Sequence, residues 1–343
     1  MGVKITGLIN PRKITIKDLN SKTIAFDAYN MLYQFLATIR GADGTLLKTS
    51  KGKVTSHLVG LFSRTAYFRE NGIRPIYVFD GKPPELKRKE RERRQKIKEE
   101  AMIAYDKAAS EDDVAGMKKY ASMTSRLDES MVEDSKRMLR SMGVSYVEAR
   151  GEGEACAAML VRQNKAYASA SQDYDSLLFH SPRLVRELSA SGKKRKAGKI
   201  GLYTVEPEII LLSDLLNELH ITHDQLIILG ILVGTDYNIG GVKGIGPKKA
   251  LKLIEKHGTN YDTLFEEARF KDHFDVDWKE IYNIFKEDPG EEISIIESEP
   301  DNEGLRELLI GEYEFSEDRI TRYLDRMKMS RDNDQKQLSS FFG

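Results

Sequence analysis

The chain has 343 residues, with 54 basic and 54 acidic side chains and a formal net charge of zero, so any affinity for nucleic acid must come from local patches. That length can bury a full core, as one large domain or two smaller ones. The single cysteine, Cys156, excludes an internal disulfide and fits a reducing compartment, while no apolar leader or run of about 20 apolar residues predicts a membrane segment; a soluble intracellular protein is expected.

The first element is residues 23–27, an apolar run closed by Asp27, after which the pattern turns helical through Met31, Leu32, Phe35 and Ile39. Residues 41–53 are rich in Gly, Lys and Thr and predict a loop. A second helix carries Leu58, Leu61, Phe62 and Ala66 on one face. It leads to residues 74–84, where another apolar run ends in a carboxylate, Asp80. Strands closed by aspartate, with helices between them, predict an α/β sheet with its site at the carboxyl ends of parallel strands.

From Lys87 the character changes: Lys87, Arg88, Lys89, Arg91, Arg93, Arg94, Lys96 and Lys98 crowd one short segment. A solvated helix laced by i,i+4 pairs, such as Glu90–Arg94 and Glu92–Lys96, would account for such a run. The apolar stripe is thin up to Met102, however, so this helix is not expected to lie flat on a core. A mobile basic helix beside carboxylates suits a phosphate backbone. Residues 106–145 continue as polar helices, with Met131, Met138 and Leu139 spaced for packing.

The stretch 151–179 holds two carboxylate pairs, Glu152 with Glu154 and Asp173 with Asp175. The second pair follows small residues (168–171) that predict a buried strand, and positions two apart on a strand share a face, so the pair is expected to converge. Carboxylates roughly 4 Å apart repel by about 1 kcal/mol in bulk water, and by more when partly buried. A cation would hold such a cluster together, and oxygen-only ligands suit Mg²⁺ or Mn²⁺; two solvated acidic turns are the alternative. Cys156 beside the glutamates reads as a small core-facing residue of the following helix rather than a nucleophile.

Residues 184–188 and 201–205 predict strands around a basic connection, 192–196, which is either a hairpin touching DNA or an exposed turn. Helices are predicted over 207–219 and 223–233, the second running into Gly234-Thr235-Asp236-Tyr237. Residues 240–254 form a Gly-rich turn feeding a helix. Its exposed N–H groups, with Lys243, Lys248 and Lys249, make a place for a duplex phosphate to dock. The tail from 330 is polar until Gln335, Leu338, Phe341 and Phe342. Its aromatics either fold back on the core or anchor a partner.

Taken together, these motifs resemble the flap endonucleases of archaea and eukaryotes, within the XPG-type 5′ nuclease family, over essentially the whole length. The resemblance rests on the Met-Gly start, Phe26-Asp27-Ala28, Val78-Phe79-Asp80-Gly81, Glu152-Gly153-Glu154-Ala155, Gln172-Asp173-Tyr174-Asp175 and Gly234-Thr235-Asp236-Tyr237. The tail has the form Gln-x-x-Leu-x-x-Phe-Phe of the family's sliding-clamp box. One departure is Arg150-Gly151, where the family commonly has Pro-Ser, which bears on loop geometry before the glutamates. The chain stops just after the clamp box, which favours the archaeal type, cytoplasmic rather than nuclear.

The resemblance implies an α/β fold: a central mixed, mostly parallel sheet flanked by helices, with a helical arch over the active site and a helix-two-turn-helix. A single nuclease domain would span 1–327, comprising an N-terminal region (1–100), an arch (85–130), an internal region (131–235) and the helix-two-turn-helix (236–258). A flexible clamp-binding tail would follow (328–343). The implied activity is a structure-specific 5′ flap endonuclease with 5′–3′ exonuclease activity, serving Okazaki-fragment maturation and base-excision repair. Asp27, Asp80, Glu152, Glu154, Asp173, Asp175 and Asp236 would hold two Mg²⁺ ions, with Mn²⁺ as a substitute. Lys87 and Arg94, with Asp80 and Asp175, would be catalytic. Gly2, Tyr33, Lys87, Arg94, Lys243, Gly244, Gly246, Lys248 and Lys249 would contact DNA, with K⁺ at the glycine turn. Gln335, Leu338, Phe341 and Phe342 would bind the sliding clamp (PCNA), and the protein would be a monomer.

Two other functions fit the sequence less well. A non-catalytic junction binder would not place so many carboxylates beside a phosphate. An aspartyl-phosphate phosphatase wants Asp-x-Asp after the first strand, and the second residue after Asp27 is Tyr29.

Overall fold

The computed structural model describes the chain except residues 1, 42, 83, 112, 122, 189–191, 196–201, 288–292 and 343, and except the side chains at 109, 114, 118, 192–195, 202–204 and 330–342. In chain order, β1 (Arg12–Lys13) and β2 (Thr23–Asp27) precede α1 (Ala28–Thr38) and α2 (Ser56–Glu70). Next, β3 (Arg74–Phe79) leads to α3 (Arg88–Ser110), α4 (Val114–Ala121) and α5 (Glu129–Ser141). Then come β4 (Tyr146–Glu148), α6 (Gly153–Arg162), β5 (Ala168–Ala170), α7 (Asp175–Leu178), β6 (Arg183–Arg186), β7 (Gly192–Arg195), β8 (Leu202–Val205) and β9 (Glu208–Leu211). The rest is helical: α8 (Leu212–Leu219), α9 (His223–Val233), α10 (Pro247–His257), α11 (Tyr261–Glu267), α12 (Trp278–Lys286), α13 (Asn302–Arg306) and α14 (Glu317–Phe342).

Seven strands form one sheet in the order β1-β9-β6-β5-β2-β3-β4. The five from β6 to β4 run parallel, and β9 and β1 close one edge antiparallel. This is the mixed, mostly parallel sheet expected. Its central strands are apolar on both faces, as strands covered by helices on both sides must be. Ile24, Phe26, Tyr77, Phe79 and Tyr146 pack with α1, α2 and α5, while the alternate residues Ala25, Ile76, Val78 and Val147 pack on Cys156, Leu160 and Val161 of α6. Phe26 stacks on Phe68 at 4.8 Å and on Tyr77 at 5.6 Å. A further core joins α7 to α8–α12.

Two expectations are corrected. Asp173 and Asp175 are not on a strand, because β5 ends at Ala170; Asp173 sits in the following turn and Asp175 opens α7. Residues 208–211 are strand rather than helix, since Ile209 and Ile210 pair antiparallel with Val185 and Leu184 and β-branched residues fit that pleated surface. Of the two readings of the basic connection, the hairpin is the one found: residues 192–195 form a strand paired antiparallel with β8, because backbone pairing asks for no apolar side chain; Lys196 lies outside the described residues. Helix α3 packs on α4 with Ala101 and Ala108 as its small buried residues, and none of its side chains joins the three cores, as its thin stripe predicted. Among the described residues no helix is long and apolar enough to cross a membrane.

Beneath this sheet, His57 of α2 is fully buried and neither ring nitrogen has a hydrogen-bond partner. Burial pushes its pKa from 6.5 to about 4, with Asp134 and Asp128 offsetting only part of the effect. The unfolded chain takes up this proton near pH 6.5 and the folded one only near 4, so His57 withdraws roughly 3 kcal/mol of stability as pH falls through that window. Urea unfolding of His57→Leu between pH 4 and 7 should show a flatter loss than the parent; an identical slope would place the acid sensitivity elsewhere.

Candidate functional site

Five strand or helix ends deliver carboxylates to one place. Asp27 closes β2 and caps α1, its Oδ1 accepting the Asn30 N–H at 2.9 Å. Asp80 follows β3, and its Oδ1 accepts the N–H of Gly153 at 2.7 Å, tying that strand end to the start of α6. Glu152 and Glu154 flank Gly153 there, and Ser171 donates to Glu154 at 2.7 Å. Asp175 accepts the Val3 N–H at 2.7 Å, which lays the N-terminal segment across the site. Asp236 follows α9. All seven carboxylates line one cleft of about 830 Å³, together with Tyr33, Lys87, Arg91, Arg94 and Lys98.

The electrostatics are those of negative charge held under burial. Desolvation, reinforced by Asp80, pushes Asp27 up to about 7. Desolvation also brings Asp175 to about 7, with Asp236 and Asp173 adding repulsion against the Val3 N–H. Asp80 is raised by burial although Gly153 and Lys87 oppose it, and Glu154 is raised by burial and by Asp175 and Asp27. The counter-charge comes from Lys87, just before α3, and from Arg94 on that helix. Lys87 Nζ lies 2.7 Å from Glu152 and 3.2 Å from Asp236. Arg94 reaches Asp236 at 2.8 Å and Glu90 at 2.6 Å. Burial works against the charge on Lys87, but Glu152 and Asp236 outweigh it and raise its pKa.

Among the described residues no three of these carboxylates stand ready to hold a metal ion, and two of them, Glu152 and Asp236, are paired with Lys87 and Arg94. The donor set still fits hard cations: it is all oxygen, and the Lys87 ammonium stands between two of its carboxylates as a point positive charge.

Sequence reasoning missed several supports. Tyr237 donates to Glu152 at 2.8 Å, although it sits inside the motif already noted. Glu90, almost fully buried, braces both Arg93 and Arg94; only the Arg94 half was legible as an i,i+4 pair. The other expected pair, Glu92–Lys96, is replaced by Arg88–Glu92 at 3.6 Å. Lys98 sits 4.7 Å over the ring of the half-exposed Tyr33. The Arg150-Gly151 departure leaves the loop pinned, because their carbonyls accept the N–H groups of Lys82 and Gly81 at 3.1 and 2.8 Å. Cys156 is buried and its thiol is pushed up to about 11 by burial, which suits a core residue.

Two glycines are fixed by contact with the carboxylates. A Cβ on Gly2 would lie 2.6 Å from Asp175 Oδ1, and one on Gly153 would lie 2.4 Å from Asp80 Oδ1. Gly153→Ala should therefore displace Asp80, despite alanine's better helix propensity of about 1 kcal/mol, and lower activity with little change in melting temperature. Unchanged activity would show that Asp80 has room to move without consequence.

The glycine turn lies apart from this cleft, between α9 and α10. Gly240, Gly241 and Gly244 have positive φ, and a Cβ on Gly241 would lie 2.2 Å from the Val233 carbonyl carbon. Gly244, Gly246, Lys243, Lys248 and Lys249 are exposed there, as a surface for phosphates requires. The side chains of Gln335, Leu338, Phe341 and Phe342 lie outside the described residues.

Residues 1–101 match the XPG N-terminal domain and residues 143–236 match the XPG I-region. The chain is 47% identical over 344 residues to flap endonuclease 1 of Pyrococcus abyssi, covering 100% of this chain and 98% of that protein. It is 48% identical over 348 residues to flap endonuclease 1 of Thermofilum pendens, covering 100% of both. Among solved structures, flap endonuclease-1 from Methanococcus jannaschii is 39% identical, with a TM-score of 0.71 over 95% of this chain and 97% of that one. The catalytic core of Rad2 in complex with a DNA substrate shares the fold at 21% identity, with a TM-score of 0.64 over 93% of this chain and 96% of that one.

Proposed function

Since this chain belongs to the flap endonuclease family of XPG-type DNA nucleases, we propose that it hydrolyses DNA phosphodiesters at 5′ flap junctions, with 5′–3′ exonuclease activity. The observation that carries the reading is the cleft in which seven carboxylates meet Lys87 and Arg94. Asp27, Asp80, Glu152, Glu154, Asp173, Asp175 and Asp236 would hold two Mg²⁺ ions, or Mn²⁺ in their place. Such ions supply an activated water and neutralise charge on the attacking and leaving oxygens. Lys87 and Arg94, released from Glu152 and Asp236, would turn to the non-bridging oxygens of the scissile phosphate and stabilise its developing charge. Tyr33 offers a partly exposed ring for an unpaired or terminal base. The turn with Gly244, Gly246, Lys243, Lys248 and Lys249 would hold the duplex backbone, with K⁺ at this turn, and Gly2 would lie against the DNA beside Asp175.

The work of such an activity is Okazaki-fragment maturation and base-excision repair by a monomer that docks on the sliding clamp through Gln335, Leu338, Phe341 and Phe342. Cleavage of a double-flap DNA, compared with single strand and blunt duplex, tests the reading. Cutting should concentrate at the junction and require Mg²⁺. Equal cutting of all three, or full activity in EDTA, would overturn it. Replacing Phe341 and Phe342 by alanine should remove stimulation by the clamp and leave clamp-free cleavage unchanged; an equal fall in both would make these aromatics core residues.

A further inference from the structure

The sheet is electrically polarised. Its carboxyl end carries the acidic cleft, and its amino end gathers cations from four neighbouring parallel strands. Lys22 precedes β2, Arg74 opens β3, Lys165 precedes β5 and Arg183 opens β6. These side chains line an open cleft of about 280 Å³ whose walls, among the described residues, contain no carboxylate. It is separated from the acidic cleft by the length of a strand, about 16 Å for the residues of β2.

Four like charges in one cleft repel one another, and among the described residues none of them pairs with a carboxylate. Each is nevertheless held in place. Arg74 donates to the Ser21 carbonyl at 2.9 Å and Lys165 to the Ile293 carbonyl at 3.0 Å. Arg183 donates to the Tyr167 carbonyl, and the Tyr167 ring lies 5.0 Å from Lys22 Nζ and 4.6 Å from the Arg183 guanidinium. A guanidinium has five N–H donors and an ammonium three, so these supports orient the groups and leave most donors for a ligand. Two guanidinium forks favour a multi-oxygen anion. The Tyr167 ring is already engaged by two cations, which directs recognition to the anion rather than to a stacked base.

We infer that this cleft is a second binding site, separate from the nuclease centre, for a phosphate group carried by a free polyphosphate or by a nucleic-acid end. Calorimetric titration of pyrophosphate into the full chain in EDTA tests it. The variant Lys22→Gln/Arg74→Gln should weaken pyrophosphate binding about tenfold or more, as expected for lost charge-assisted hydrogen bonds, while Lys87→Gln leaves it unchanged. Flap cleavage by the double variant should equal that of the parent. Both side chains are exposed, and Lys22→Gln alone should show part of the loss if the double variant folds poorly. A second arm titrates a 5′-phosphorylated thymidine oligonucleotide: the same loss assigns the phosphate to a nucleic-acid end, and no loss assigns it to free polyphosphate. Pyrophosphate binding that survives Lys22→Gln/Arg74→Gln, that is lost in Lys87→Gln, or that is undetectable in the parent overturns the inference.

Discussion

Asp175→Asn should fold, bind flap DNA and lose Mg²⁺-dependent cleavage by roughly 10³-fold, the scale of losing one preorganised electrostatic group at a reacting centre. Asparagine keeps an oxygen that can accept the Val3 N–H, now bonded at 2.7 Å, so the N-terminal segment stays in place and only the charge is removed. That charge is buried, and Asp236 and Asp173 repel it. The metal-free variant should therefore melt higher than the parent, by on the order of 1 kcal/mol or more of stability. Single-turnover cleavage, flap binding in Ca²⁺ or EDTA, and a metal-free melting curve together make the test. Near-parental cleavage by this well-folded, flap-binding variant would break the claim that the cluster is the catalytic centre.

Lys87→Ala should lower single-turnover cleavage by roughly 10²–10³-fold with a much smaller effect on flap affinity, because its ammonium is asked to meet charge that develops in the transition state. Here the melting temperature should move the other way. Lys87 bridges Glu152 and Asp236, whose side chains are only 12% and 11% exposed, and removing it leaves buried carboxylates with Arg94 alone as counter-charge. A loss on the order of 1–3 kcal/mol follows. Neutralising Arg91, which lines the same cleft, should mainly weaken binding and flatten its salt dependence. If Lys87→Ala lowered stability but cleaved DNA at the parental rate, the lysine would be a counter-ion of the fold and nothing more.

The chain by itself determined the parts of this protein that depend on local pattern. Apolar runs closed by Asp27 and Asp80 are strands that end in charge because a buried parallel strand must be apolar on both faces and its carboxyl end must reach solvent. The stripe of Leu58, Leu61, Phe62 and Ala66 has one helical period, and all four residues are buried. Period and propensity act within a few residues, so they are readable without partners. Short strands are not. Residues 208–211 and 192–195 are strands only because β6 and β8 stand beside them, and their own patterns are too brief to outvote a helix or a turn. The convergence of Asp173 with Asp175 was right in outcome and wrong in cause: a turn and the first residue of α7, rather than a shared strand face, bring them to the cleft. What only the tertiary structure decided is the charge balance there. Lys87 between Glu152 and Asp236, Tyr237 on Glu152 and Val3 on Asp175 join residues 65, 149, 85 and 172 positions apart, and the pairing of distant charges is set by how strand ends and the start of α3 meet, which no local spacing encodes.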